Sequence, residues 1–303
     1  MNQPELDTYY KDYKRNYLAL YGKKYPLKKA ERIQNIDNFI DEIIKSDKTL
    51  ILSFDFHDTL TAFKERVMTS EDAQTFSRYI NTIAQSKPIM PLIHSVGNIM
   101  STDYLDVEKT LYLITEGHVL YDDHKGTQNL NMLSTNQQEI DDSIKDFIHK
   151  EGSPVRLVDH DQDELLIQLS TIPTVSSKDL SNKELSQALA NYFPQELADQ
   201  ASFWINRHHD ILGIHTRIGK NQVGEKVLEH LGYNPQDCIY VHFGDHVPDI
   251  LWEGVRFSKQ YLISPYNSSS PTKEYASFVS DGCAPDGIFE VLQKIQQTLQ
   301  NVL

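Results

Sequence analysis

Hydrophobic positions in this chain fall into short runs that stop abruptly at polar residues. Leu50-Ile51-Leu52-Ser53-Phe54 stops at Asp55, and Pro88-Ile89-Met90-Pro91-Leu92-Ile93 stops at His94-Ser95. Leu111-Tyr112-Leu113-Ile114 stops at Thr115-Glu116, and Cys238-Ile239-Tyr240-Val241-His242-Phe243 stops at Gly244-Asp245. Runs of this length, apolar on both faces, predict buried strands of a parallel sheet. Between the first two, Ala73, Phe76, Ile80 and Ile83 recur at helical spacing behind Thr69 or Ser70 as N-cap. Strand, helix, strand makes a βαβ unit, so the polar strand ends share one edge of the sheet. Val119-Leu120-Tyr121 follows the third run closely enough to be a returning strand.

The texture changes at about 130. Ile140, Ile144, Phe147 and Ile148 predict a helix, Leu165-Leu166-Ile167 a strand, and Leu185, Leu189 and Tyr192 another helix. Phe203-Trp204-Ile205 and Ile211-Leu212-Gly213-Ile214 pair as strands across the polar residues 206–210. This block reads as an inserted α+β cap over 130–206, with the parallel pattern resuming over 207–303. There Val223, Val227 and Leu231 share a helical face ending at Gly232, a C′ glycine. A short strand at Tyr261-Leu262-Ile263 and a last helix on Ile288, Val291, Leu292 and Ile295 close the chain. Residues 1–48 read as a helical extension ahead of a first core segment at 49–129. One face carries Tyr10, Tyr13, Tyr17 and Leu20, a second Ile33, Ile36, Ile40, Ile43 and Ile44, with a break at Gly22 and Tyr25-Pro26.

Composition narrows the function. The 303 residues carry 39% hydrophobic side chains and a net charge of −14, which argues against nucleic-acid and anionic-membrane partners. No apolar run approaches the roughly 18 residues a membrane span needs, and the N-terminus lacks a basic-then-apolar signal, so a cytoplasmic location is expected. Cys238 and Cys283 have no metal-site spacing. The tyrosine-rich N-terminal helices offer a surface for a protein partner, but an amphipathic cover with a solvated basic face is the preferred reading.

The strand ends carry the chemistry. Asp55, Ser95, Asp245 and Asp249 converge on one rim, and carboxylates so placed repel one another unless a cation sits among them. Hard oxygen ligands suit Mg²⁺, and a metal beside a free carboxylate suits phosphoryl transfer with Asp as nucleophile. Ser95 and Lys220, at the start of the resumed core helix, can hold the remaining phosphate oxygens. Lys226 is the other lysine of that helix, but it falls mid-helix, where a lysine faces solvent by default.

These four segments, in this order, resemble the motifs of the haloacid dehalogenase superfamily of phosphatases. Phe54-Asp55-Phe56-His57-Asp58-Thr59-Leu60 is similar to its first motif, Ser95 to the second, Lys220 with its helix to the third, and Gly244-Asp245 with Asp249 to the fourth. An insertion between the second and third motifs resembles the large-cap, Cof-type and sugar-phosphate phosphatase subgroup. The resemblance spans about 49–303 and implies a Rossmann-like α/β core with a cap. It also implies Mg²⁺-dependent hydrolysis of a small phosphomonoester, with a sugar phosphate as one candidate. Asp55 is then the nucleophile and His57 the acid/base, while Ser95 and Lys220 grip the phosphoryl group. Asp55, the His57 carbonyl, Asp245 and Asp249 are the metal ligands. Gly97, Asn98, Arg156 and Arg207 are the candidate substrate contacts. Three departures stand out: His57 replaces the usual Asp, Val96-Gly97 the usual Gly-Arg, and Pro248 the usual Asn. A phosphotransferase or mutase on the same aspartyl-phosphate is one alternative. A degenerate binding protein is the other.

Overall fold

The computed structural model describes residues 16–18, 27–62, 67–95, 105–107, 111–115, 119–122, 126–129, 142–143, 145–150, 155–161, 164–173, 184, 188, 192–193, 201–206, 210–216, 219–246 and 249–302. The chain folds as two compact units. One comprises Met1–Pro26 with Leu133–Arg217, the other Leu27–Met132 with Ile218–Leu303.

The larger unit is built on an eight-stranded sheet. Its strands are β2 (Thr49–Phe54), β3 (Ile89–Ser95), β4 (Tyr112–Thr115), β5 (Val119–Asp122), β6 (Gly126–Asn129), β11 (Cys238–Phe243), β12 (Lys259–Ser264) and β13 (Phe278–Val279). They lie in the order β13-β12-β11-β2-β3-β4-β5-β6, with β13 through β4 parallel and β5 and β6 antiparallel. On one face pack three helices, α1 (Ile36–Lys45), α2 (Ser70–Ser86) and α5 (Asp286–Val302). Their Phe39, Ile40, Ile43, Phe76, Ile80, Ile83, Ile288, Leu292 and Ile295 meet Leu50, Leu52, Phe54, Val241 and Phe243 in one core. Phe54 stacks on Phe243 with ring centroids 4.7 Å apart and meets Phe76 edge-on at 5.0 Å. Thr69 caps α2, its hydroxyl accepting from the Asp72 amide at 3.1 Å. Two more helices belong to this unit, α3 (Lys220–His230) and α4 (Ser270–Tyr275). The first packs its Gly224 against the Tyr240 ring, where a Cβ would come within 2.9 Å of the aromatic edge. Gly232 follows α3 at φ +82, the left-handed conformation that only glycine adopts without cost.

The smaller unit holds a five-stranded antiparallel sheet in the order β1-β9-β10-β8-β7. These strands are β1 (Asn16–Leu18), β7 (Leu157–Asp161), β8 (Glu164–Gln168), β9 (Ala201–Asn206) and β10 (Ile211–Thr216). Phe147, Tyr192 and Phe193 make an aromatic cluster in the same unit, with centroids 5.3 to 5.5 Å apart.

Two expectations from the sequence need correction. The N-terminal segment is not one helical extension. Asn16–Leu18 is a strand paired with Phe203, Trp204 and Ile205, whereas α1 lies in the core layer itself, with Phe39 against Tyr261 at 4.7 Å. An open sheet edge rewards an extended partner with main-chain hydrogen bonds, and helical periodicity carries no record of that edge. The second correction concerns the boundary placed after residue 206, which would cut a hairpin. β10 pairs with β9 over its whole length and with β8 from Ile211 to His215, so the small unit continues to Arg217.

Candidate active site

The site is assembled where β2 and β11 end side by side. Ser53 is in register with His242 and Phe54 with Phe243, and the Asp55 amide donates to the Phe243 carbonyl at 2.8 Å. That bond fixes Asp55 at the first position beyond the sheet. The chain then turns sharply. The Leu60 and Thr61 amides both donate to the Phe56 carbonyl at 3.0 Å, and Asp58 takes a left-handed conformation at φ +55, its amide donating to Thr61 Oγ1 at 3.0 Å. Asn267 Nδ2 steadies the turn by donating to the Asp58 carbonyl at 3.0 Å.

Gly244 on the neighbouring strand end is required by space. A Cβ there would fall inside the Asp249 carboxyl group. Gly219 has a comparable role, since its missing side chain makes room for the Trp252 indole and lets α3 begin at Lys220.

These constraints bring Asp55, Asp245 and Asp249 together, with one carboxylate oxygen from each lying within 4.8 Å of the others. All three are buried, and so is Lys220 at 3% exposure. Lys220 Nζ donates to Asp55 Oδ1 and to Asp249 Oδ1, the latter at 2.5 Å. Asp249 is held at both oxygens. His242 Nε2 lies 3.1 Å from Oδ1, and the His246 amide donates to Oδ2 at 2.8 Å. Thr59 Oγ1 stands 3.5 Å from Asp55 Oδ2.

The electrostatics follow from one lysine among three buried carboxylates. Burial pushes the Asp55 carboxyl up to about 7; Lys220 pulls it down and the Asp249 charge adds to the rise. Burial also opposes the charge on Asp249, but Lys220 and the His242 hydrogen bond outweigh it and hold this group well below the usual carboxylate range. Lys220 is desolvated as well, yet the charges of Asp249 and Asp55 raise it above its ordinary value. Asp249 thus gains more from the lysine's charge than Asp55 does. A hard divalent cation fits this oxygen-donor set.

Of the sequence-derived candidates, the structure brings together Asp55, Lys220, Asp245 and Asp249. Lys226 is exposed on α3. His57 sits two residues beyond Asp55 in the same turn, its ring 5.2 Å from that of Phe56. Ser95 ends β3, the strand beside β2, and is buried. Gly97, Asn98 and Arg207 lie outside the described residues. Arg156 belongs to the smaller unit, where it is exposed and bonds through its backbone to Gln168 and Thr171.

Sequence reading missed the polar layer beneath the carboxylates. Tyr240 Oη donates to Ser53 Oγ at 3.0 Å, and Ser53 Oγ lies 3.0 Å from His242 Nδ1. His94 is buried on β3, with no partner at Nδ1 among the described residues. Period-2 alternation within β2 and β11 was the available signal, since Ser53, Tyr240 and His242 interrupt runs that are otherwise apolar.

No family model matches the sequence, and no curated protein does. Solved structures do match the fold. Trehalose-6-phosphate phosphatase of Aspergillus fumigatus superposes with a TM-score of 0.56 over 88% of this chain and 100% of its own, at 14% identity. Sucrose-phosphatase of Synechocystis gives 0.52 over 82% and 98% at 11% identity. A haloacid dehalogenase-like hydrolase of Bacteroides thetaiotaomicron gives 0.50 over 82% and 100% at 14% identity. The chain therefore has the haloacid dehalogenase-like fold, a Rossmann-like parallel core with an inserted second unit. No helix among the described residues is long and apolar enough to cross a membrane.

Proposed function

We propose that this protein is a Mg²⁺-dependent phosphatase acting on a small phosphomonoester, with a sugar phosphate as the favoured substrate class. The observation that carries the reading is the placement of Asp55 at the end of a central parallel strand. It is bonded to Lys220, and one of its carboxylate oxygens lies within 4.8 Å of those of Asp245 and Asp249. A phosphatase of this kind needs a nucleophilic carboxylate, a fixed cation and a carboxylate set for a metal in one place. The fold shared with proteins named trehalose-6-phosphate phosphatase and sucrose-phosphatase supports the substrate class.

In this reading Asp55 attacks phosphorus and the P–O bond to the leaving group breaks. His57 gives its proton to the departing alkoxide. His57 then takes a proton from water, the water oxygen attacks phosphorus, and the bond to Asp55 breaks to release phosphate. Histidine suits both transfers near neutral pH because its ordinary pKa is about 6.5. Ser95 and Lys220 hold the phosphoryl oxygens, and Lys220 also keeps Asp55 oriented. Asp55, the His57 carbonyl, Asp245 and Asp249 would hold the metal, Asp249 directly or through water. Bound there, Mg²⁺ supplies charge neutralisation at the phosphoryl oxygens.

The test is phosphate release from a panel of phosphomonoesters, with Mg²⁺ or EDTA, for wild type, Asp55→Asn and His57→Asp. Turnover that requires Mg²⁺ and disappears in Asp55→Asn is expected. A silent wild type beside an active His57→Asp would mean that His57 blocks the hydrolytic step. Silence from all three would overturn the phosphatase and favour a binding protein.

A further inference from the structure

Beneath the carboxylates runs a line of buried polar atoms that the proposed chemistry does not use. Tyr240 Oη, Ser53 Oγ, the two ring nitrogens of His242 and Asp249 Oδ1 follow one another at 3.0, 3.0 and 3.1 Å. Tyr240, Ser53 and His242 are each completely buried. In such a place every polar contact must be a true hydrogen bond, and the protons can be counted. Asp249, ionised, only accepts, so His242 Nε2 must bring the proton to it. Nδ1 faces the Ser53 hydroxyl, a group that can serve there as donor or acceptor. Ser53 has a lone pair left for the Tyr240 hydroxyl. The opposite tautomer would set a nitrogen lone pair against a carboxylate. The line therefore ends in an N–H aimed at Asp249.

We propose that His242 is a positioning residue, donating from Nε2 to Asp249 and backed at Nδ1 by Ser53, which fixes Asp249 so that Asp249 holds Lys220 against Asp55. Three donors meet the Asp249 carboxylate, namely His242, Lys220 and the His246 amide. His242 is the member whose removal leaves the ion pair itself untouched. Its effect on turnover rests on the phosphatase reading; its tautomer and its hold on Asp249 do not.

Two substitutions separate the roles. In His242→Gln the side-chain amide reaches the position of Nε2 and still donates to Asp249. In His242→Asn the amide reaches only the position of Nδ1, keeping Ser53 and losing Asp249. Nitrogen NMR of the ring in full-length, metal-free wild type should show Nε2 protonated, and Ser53→Ala, which leaves Asp249 in place, should keep that proton. With p-nitrophenyl phosphate and Mg²⁺, His242→Asn should lower kcat by about 10- to 100-fold with KM little changed, and His242→Gln should recover most of it. Mg²⁺ affinity measured by calorimetry should fall in the same order. A wild-type ring with no proton at Nε2 would overturn the proposal. So would equal impairment of folded Asn and Gln variants. Absence of wild-type turnover would strike the phosphatase reading alone, because the ring NMR and the Mg²⁺ affinities of the Asn and Gln variants read the hold on Asp249 without it.

Discussion

Replacing the proposed nucleophile should make the metal-free protein more stable, by an amount set by pH. Asp55 is buried, and its carboxyl is pushed from an ordinary 3.8 to about 7, burial being the main cause. Because the native pKa lies above the unfolded one, the native state binds more protons between pH 4 and 7, and stability falls as pH rises through that window. At about 1.4 kcal/mol per pH unit, carrying the ionisation from 3.8 to about 7 costs the wild type about 4 kcal/mol at pH 8. Asparagine is a neutral isostere. Its oxygen can keep the Lys220 contact and its amide can face the Thr59 hydroxyl. Asp55→Asn should therefore match wild type near pH 4, exceed it by about 1.5 kcal/mol at pH 5, and exceed it by about 4 kcal/mol at pH 8.

The assay is urea unfolding of both proteins in EDTA across that range, repeated with Mg²⁺. A ligand at 100 times its Kd adds about 2.7 kcal/mol to the native state, and the wild type, with its full carboxylate set, should take most of that gain. Magnesium should thus close much of the gap at pH 8. Stability and turnover would then trade against each other at a single oxygen atom, as expected where a site concentrates like charge. A gap of equal size at pH 5 and pH 8 would refute the reasoning. So would an asparagine variant less stable than wild type at pH 8 in EDTA.

Other consequences are more local. Lys220→Met leaves two buried carboxylates without their shared cation, so urea unfolding at pH 8 should show a loss of about 3–5 kcal/mol and phosphate release should vanish. Gly244→Ala places a methyl group in the Asp249 carboxyl; circular dichroism should report a folded protein, and turnover should fall about 100-fold from displacement of that side chain. His94 is held well below 6.5 by burial and by the charge of Lys220, so below pH 6.5 the unfolded chain gains a proton that the native chain refuses. His94→Gln should therefore lose stability less steeply than wild type between pH 6.5 and 5, and equal slopes in denaturation curves would contradict this.

What the sequence made legible depends on which forces leave a local trace. β2, β3, β4 and β11 were readable because a strand buried on both faces must be apolar throughout, and the first polar residue then marks its end. That rule pointed straight to Asp55; at His94-Ser95 and Gly244-Asp245 it marked the strand end, and the motif resemblance picked out Ser95 and Asp245. β6 was invisible, since Gly126-Thr127-Gln128-Asn129 carries no apolar pattern and owes its pairing to the edge of β5. The strand at Asn16–Leu18 was hidden for the same reason: its partner lies almost 190 residues away, and edge pairing writes nothing into the local sequence. The buried network is the most instructive miss. Ser53, Tyr240 and His242 each look like a defect in an apolar run, costly when considered singly. Only the parallel register that sets Ser53 beside His242 reveals that the defects satisfy one another and end on Asp249. A polar residue interrupting a buried strand next to an acidic strand end is therefore better read as one half of a pair. The other half is to be sought on the neighbouring strand at the same height.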